Sequence, residues 1–293
     1  MKLGNAPCSW GVEFADDPRN PPWGKVLDEC AAAGFNGVEL GPIGFLPVDP
    51  ATLRAELEAR NLTLTAGFVF QPFHDSGAWD AVRDSHIRTC RSLASHDERT
   101  LVLIDSIAPE RTRTLGRPSD APKLSAEDWG AMVERIRECC RIAADHGVRP
   151  SLHGHAGGYI DFEDEIERVL SEVDSSELGI CVDTAHLTLA GVDPLAFTAR
   201  HAERLGHIHL KDIDPQKRRR VIDDRIEFYQ ACADNMFCEI GHGQVDFKAL
   251  YGLLVKLGFE GWCTVEQDCA ADAQVSKIEM ASANRRYLEK VGF

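Results

Sequence analysis

The sequence predicts a (β/α)8 TIM barrel, and three observations predict it. Strand-like and helical stretches alternate eight times along the 293 residues, and no composition break marks a linker. Alternation of this kind gives a parallel sheet, and eight units close it. Several strand-like stretches also end in polar groups that are costly to bury unless something binds them, and a barrel carries its chemistry at those ends. The reading is therefore one domain over residues 1–293. A doubly wound open sheet would need a glycine-rich phosphate turn after a strand, and no G-x-G-x-x-G is present.

Leu3 to Trp10 reads as a first strand, followed by a Pro- and Asp-rich loop from Asp16 to Pro22. Trp23 to Ala33 is helical because Val26, Leu27 and Cys30 recur at helix spacing, and Gly34 stops it. Asn36 to Leu40 is the second strand and carries Glu39 at its end. Asp49 caps the helix Ala51–Arg60. Leu62 to Phe70 is the third strand, with His74 and Asp75 in the loop beyond it. Trp79 to Ser95 is helical, and Thr100 to Ile104 is a strand ending at Asp105. Ser125 caps a long helix to His146, whose Trp129, Met132, Val133, Ile136, Cys140 and Ala143 form one apolar stripe.

The fifth strand ends at His153 and His155, and a helix runs from about Phe162 to Val173. The sixth strand ends at Asp183, and Asp193-Pro194 opens a helix to Leu205. His207-Ile208-His209-Leu210-Lys211-Asp212 is the seventh strand. Pro215 to Val245 is a long connection, which at that length is functional or holds structure of its own. Helix Phe247 to Leu257, strand Gly261 to Glu266 and a closing helix from Asp272 to Lys290 complete the chain.

The formal net charge of −15 argues against a nucleic-acid partner and gives no attraction to anionic lipid. The N-terminus lacks the apolar core of a secretion signal, and no apolar run approaches membrane-spanning length. Ten cysteines without framework spacing read as reduced core residues of a cytoplasmic protein. A homo-oligomer stays open.

Alternation along a strand puts His207, His209 and Lys211 on one face. His153, Asp183, His209 and Glu266 each close a strand, and together they make a divalent-metal site. Two imidazoles and two carboxylates suit Mn²⁺, Co²⁺ or Zn²⁺ better than Mg²⁺. His155, Lys211 and His186 lie two or three residues beyond a ligand, placed to touch substrate or to orient a ligand. Glu39 is an isolated carboxylate fit for acid–base work or for accepting a sugar hydroxyl. Trp10, Phe70, His74 and Asp105 sit at strand ends as pocket candidates, with His242 and Glu239 beside the turn Gly241-His242-Gly243. Lys217 to Arg220 reads first as a solvated loop and second as a substrate lid.

Asp183-Thr184-Ala185-His186-Leu187, His207 to Asp212, Gly241 to Phe247 and Gly261 to Asp268 together resemble the xylose isomerase-like TIM barrels. Ala6-Pro7, Gly37-Val38-Glu39 and the closing helix extend the resemblance over nearly the whole chain. His153-Gly154-His155 and Met236-Phe237 are similar to the inosose dehydratase subgroup. In most of that superfamily the fifth-strand ligand is a glutamate, and two metal-bound glutamates serve the sugar epimerases as bases on opposite faces. Here His153 stands at that position, and Glu266 alone remains of the pair. His242 likewise replaces an acidic residue usual between the two glycines. The resemblance implies a metal-dependent lyase that dehydrates a polyhydroxy ketone such as an inosose, with Lys211, Glu39, His155 and His186 as candidate acids and bases. The alternative is a sugar isomerase or epimerase acting through an enediolate. A DNA-repair endonuclease and a non-catalytic sugar- or metal-binding barrel are more distant rivals.

Overall fold

A computed structural model describes residues 1–269 and 275–293. Its main sheet contains nine hydrogen-bonded segments, two of which are halves of one strand, so the barrel has eight strands. These are β1 (Lys2–Asn5), β2 (Gly37–Val38), β3 (Thr63–Leu64 and Gly67–Gln71), β4 (Thr100–Asp105), β5 (Arg149–His153), β6 (Gly179–Asp183), β7 (Leu205–Leu210) and β8 (Trp262–Val265). All neighbours pair in parallel, and β1 lies between β2 and β8. The first half of β3 pairs with β2 and the second with β4. Hydrogen bonds from Thr65 N–H to Val38 O and from Leu40 N–H to Ala66 O carry the closure across the interruption.

The long helix shows why the shell packs. Ala126–Asp145 is capped by the Ser125 hydroxyl, which accepts from Asp128 N–H, and its predicted stripe is buried against the sheet together with Cys139. Each such aliphatic side chain stabilises the fold by about 1.5–3 kcal/mol. Truncating Ile136 to Ala would cost about 2–5 kcal/mol.

Several boundaries differ from the expected ones for local reasons. The first strand stops at Asn5, because Pro7 has no N–H for the ladder and starts the 3-10 turn Pro7–Trp10. The helix opened by Asp193 ends at Arg200, a 3-10 turn spans Ala202–Arg204, and Leu205 already belongs to β7. A short helix, Thr184–Leu189, occupies what reads in sequence as a turn. The long connection holds helices Pro215–Asp224 and Phe228–Ala233, and Phe237–Cys238 pairs antiparallel with Asp212–Ile213. Lys217 to Arg220 is therefore helical rather than a loop. The expected start of the closing helix at Asp272 lies outside the described residues; the described helix is Lys277–Val291, capped by Ser276. Among the described residues, no helix is long and apolar enough to cross a membrane.

Candidate metal centre

Strand ends bring four donors together. One ligand atom from each of His153, Asp183, His209 and Glu266 lies within 4.8 Å of all the others. His153 Nε2 is 3.4 Å from Asp183 Oδ2, and His209 Nδ1 is 3.2 Å from Glu266 Oε2 and 3.9 Å from Asp183 Oδ2. Donors around one tetrahedral ion at bond lengths near 2.1 Å stand about 3.4 Å apart, so these spacings are of the right size.

The hydrogen bonding argues the same way. Asp183 caps the helix that follows it: Oδ1 accepts from Ala185 N–H and His186 N–H, while buried Oδ2 has no hydrogen-bond partner among the described residues. His209 donates its Nε2 proton to Glu39 Oε1 at 3.1 Å, so Nδ1 is the atom turned toward Asp183 and Glu266; that buried nitrogen has no hydrogen-bond partner among the described residues and can serve a cation once its proton is displaced. A carboxylate fixing the far nitrogen of an imidazole is how metal-binding histidines are oriented. Charge agrees too. Lys211 Nζ is one ammonium facing three carboxylates, Asp268 at 2.8 Å, Glu266 at 3.1 Å and Asp183 at 3.5 Å. The negative excess in a buried pocket suits a divalent cation.

Two neighbouring clusters fit less well. Glu39, His207 and His209 approach one another, but the Nε2 atoms of both rings already bond Glu39 Oε1. Cys8, Glu266 and Asp268 also converge, yet the Lys211 ammonium lies against both carboxylates.

Burial works to raise the Asp183 carboxyl, but the charges of Lys211, His186 and His153 hold it far below the usual range. Glu266 is likewise held down against burial, by His209 and Lys211. Burial would lower Lys211, and Asp268, Glu266 and Asp183 outweigh it, so the amine is held well above its usual value. For His209, burial is outweighed by Cys181, Glu266 and Glu39. At neutral pH the attraction comes from the two carboxylates, since burial pushes the Cys181 thiol up to about 11.

His155 and His186 complete a group of packed imidazoles, with ring centroids 4.1 Å apart. His155 Nδ1 donates to Ala156 O at 3.0 Å, which leaves its Nε2 unprotonated. Ala156 N–H donates to His186 Nδ1 at 3.1 Å, so the ring proton of His186 sits on Nε2, 3.3 Å from Lys211 Nζ. Burial drives both imidazoles well below their usual pKa. The Gly154 between the two strand-five histidines is needed for space, because a Cβ there would meet Ile166 Cδ1 at 2.4 Å.

A cavity of about 360 Å³ opens onto this group, and His153, His155, Lys211, Glu266 and Phe70 are on its wall. Other expected site residues lie elsewhere. Glu39 is fully buried and off that wall; it holds His207 and His209 instead of facing a substrate. Trp10 is packed in the core, its indole N–H donating to Glu29 at 2.7 Å. His74 and Asp105 pair with each other at 2.8 Å, and Asp105 also takes Tyr159 N–H, so both are committed outside the cavity wall. His242 points into solvent, with 73% of its side chain exposed. The backbone of its turn is what matters: Gly241, Gly243 and Val245 N–H donate to the Asp212 carboxylate. A Cβ at Gly243 would meet Asp212 Oδ1 at 2.2 Å.

The cavity also uses residues that sequence reasoning passed over. Asp268 follows Glu266 by two, the same spacing as Lys211 after His209, and that parity is a readable signal. Glu13 comes from a loop, and Phe228 and Tyr229 from the helix Phe228–Ala233 inside the long connection; none carries such a signal. The ten cysteines are free; Cys8 and Cys269 line the cavity half-buried instead of filling the core, and Cys232 lines it from a buried core cluster.

Among known proteins, the chain is 28% identical to an inosose dehydratase of Clostridium beijerinckii, over 100% of this chain and 98% of that one. It superimposes with a TM-score of 0.75 and 16% identity on a probable 3-DHS dehydratase, AsbF, from Bacillus anthracis, covering 99% of each chain. A structure of the IOLI protein with a bound zinc atom gives a TM-score of 0.73 at 15% identity, over 99% of this chain and 98% of that one. The model of the xylose isomerase-like TIM barrel family matches residues 27–291, and the chain belongs to that family.

Proposed function

We propose that this protein is a divalent-metal-dependent hydro-lyase that removes water from a polyhydroxy ketone of the inosose class, in the reducing cytoplasm that ten free cysteines suit. The observation that carries the reading is the buried carboxylate excess beside two donor atoms without hydrogen-bond partners among the described residues, Asp183 Oδ2 and His209 Nδ1, next to a cavity whose wall carries His153 and Glu266. His153, Asp183, His209 and Glu266 would hold the ion, with Mn²⁺, Co²⁺ and Zn²⁺ all suited to the donor set. When bound, such an ion polarises the ketone and acidifies the neighbouring C–H.

The chain's own residues supply the proton transfers. His155 turns an unprotonated Nε2 away from Ala156 and takes the proton from carbon. Lys211, pinned by Asp268, gives a proton to the departing β-hydroxyl, which leaves as water as the C–O bond breaks. His186 packs behind Lys211 with its Nε2 3.3 Å from the amine and holds it in position; the proton His155 gains matches the one Lys211 gives, and exchange with solvent returns both groups to their starting state. Glu39 positions His209. The full-length relative named inosose dehydratase supports the substrate class. A histidine at His153, where paired-base epimerisation would want a second carboxylate, favours loss of water over epimerisation.

Metal analysis of the purified protein, with mass-resolved turnover of a panel of inososes and ketoses, tests this. The expected product has lost one water. Unchanged product mass would make the protein an isomerase or epimerase, and full activity in metal-free protein would remove the ion from the mechanism.

A further inference from the structure

The polar groups on the cavity wall include two sets besides the outer Asp17–Arg19 ion pair. One belongs to the metal centre. The other is built around Glu13, which follows the Pro7–Trp10 turn, and Tyr229 on the helix Phe228–Ala233. The Tyr229 hydroxyl donates to Glu13 Oε1 at 2.8 Å across 216 residues of sequence. The other oxygen, Oε2, accepts from no described residue. Val12, Phe68, Phe70 and Phe228 give the surrounding wall an apolar character. A half-buried carboxylate in such a setting loses water without regaining donors, and burial accordingly pushes Glu13 up to about 7. The same helix places Phe228 against His155, with ring centroids 5.2 Å apart, so the clasp and the reacting end share one wall.

We propose that Glu13, held in place by Tyr229, is a specificity-determining residue whose free Oε2 accepts a hydrogen bond from a substrate hydroxyl remote from the reacting carbons. This rests on the cavity being a polyhydroxy-ketone site. A hydroxyl that donates to Oε2 is lost on deoxygenation and blocked on O-methylation, so substrates changed in either way at that position are discriminated against.

The test compares wild type, E13A and Y229F on inosose and its monodeoxy analogues, with bound metal measured in each. E13A should raise KM for inosose about tenfold or more, and more than it lowers kcat, with metal content kept. One deoxy analogue, lacking the hydroxyl that Glu13 holds, should show the same KM in wild type and E13A. Y229F should keep the discrimination, because the acceptor remains. An unchanged KM in E13A, an equal loss for every analogue, or a Y229F variant as undiscriminating as E13A would overturn the proposal. If wild type retains metal but does not turn over inosose, the functional reading fails separately. Calorimetric titration of wild type and E13A with myo-inositol and fructose then decides this one: weaker binding to E13A supports it, and equal or no binding overturns it.

Discussion

Two buried ionic clusters at the same end of the barrel are built to opposite rules. Around Glu165, every carboxylate oxygen is satisfied: Oε1 accepts from Arg111 and Lys123, and Oε2 from Arg111, Asp161 N–H and Phe162 N–H. Arg111 is fully buried and stacks against Tyr159 and Phe162. The carboxylate of this cluster is closed, although the buried Arg111 Nε has no hydrogen-bond partner among the described residues, and its effect is to fix the loop between His155 and the helix Glu163–Glu172. Around Asp183 and His209 the donors point at one another with none between them, and carboxylates outnumber the ammonium. In the structural cluster the carboxylate is matched by cations and N–H donors from the chain; in the candidate centre the carboxylates exceed them, which leaves room for a cation.

That contrast can be broken most sharply at Asp183. D183N keeps a side-chain oxygen for the helix cap, since Asn caps as well as Asp, but removes the charge. Bound metal and activity should both vanish while the metal-free melting temperature stays near wild type. A collapse in stability instead would mean that this centre is structural too. E165A is the reciprocal change. It strands Arg111 in the interior and should cost about 3–5 kcal/mol in urea unfolding, with little effect on metal stoichiometry in the folded fraction.

Asp161 sharpens the comparison through pH. Burial, aided by the Glu165 charge, raises its carboxyl from 3.8 to about 7. Between those values the folded chain holds a proton that the unfolded chain has released, so stability should fall as pH rises through that window. At roughly 1.4 kcal/mol per unit the loss is up to about 4 kcal/mol, and D161N should flatten the slope. An unaltered pH profile in D161N would remove Asp161 from the account. The smallest effect is expected from E39Q, which weakens the partner of His209 without touching the donors. Metal affinity should drop about 10–100-fold, and excess metal should restore turnover. Activity that stays lost at saturating metal would return Glu39 to the reaction itself.

Residue parity along strands made much of the centre legible. His153, Asp183, His209 and Glu266 all sit at or just beyond strand ends, where a barrel exposes its interior face. Parity failed where the backbone stops being a strand. Pro7 turns the chain into a 3-10 segment, so the alternation that would aim Trp10 at the mouth no longer holds. Gly241, at φ +90°, bends its turn so that backbone N–H groups reach Asp212, which sends the His242 side chain outward. The His74–Asp105 pair was visible as two pocket candidates but not as partners.

By itself, the sequence determined the eight-fold alternation, the strand ends that carry nitrogen and oxygen donors, and the excess of acid. Periodicity and composition are local, and they survive without knowledge of the fold. Only the tertiary structure decided which oxygen of Asp183 caps the helix, which nitrogen of His209 faces Glu266, that Glu39 braces His209, and that Glu13 meets Tyr229. Those facts depend on which atoms of distant segments share a few ångströms, and barrel closure sets that, not any run of neighbouring residues.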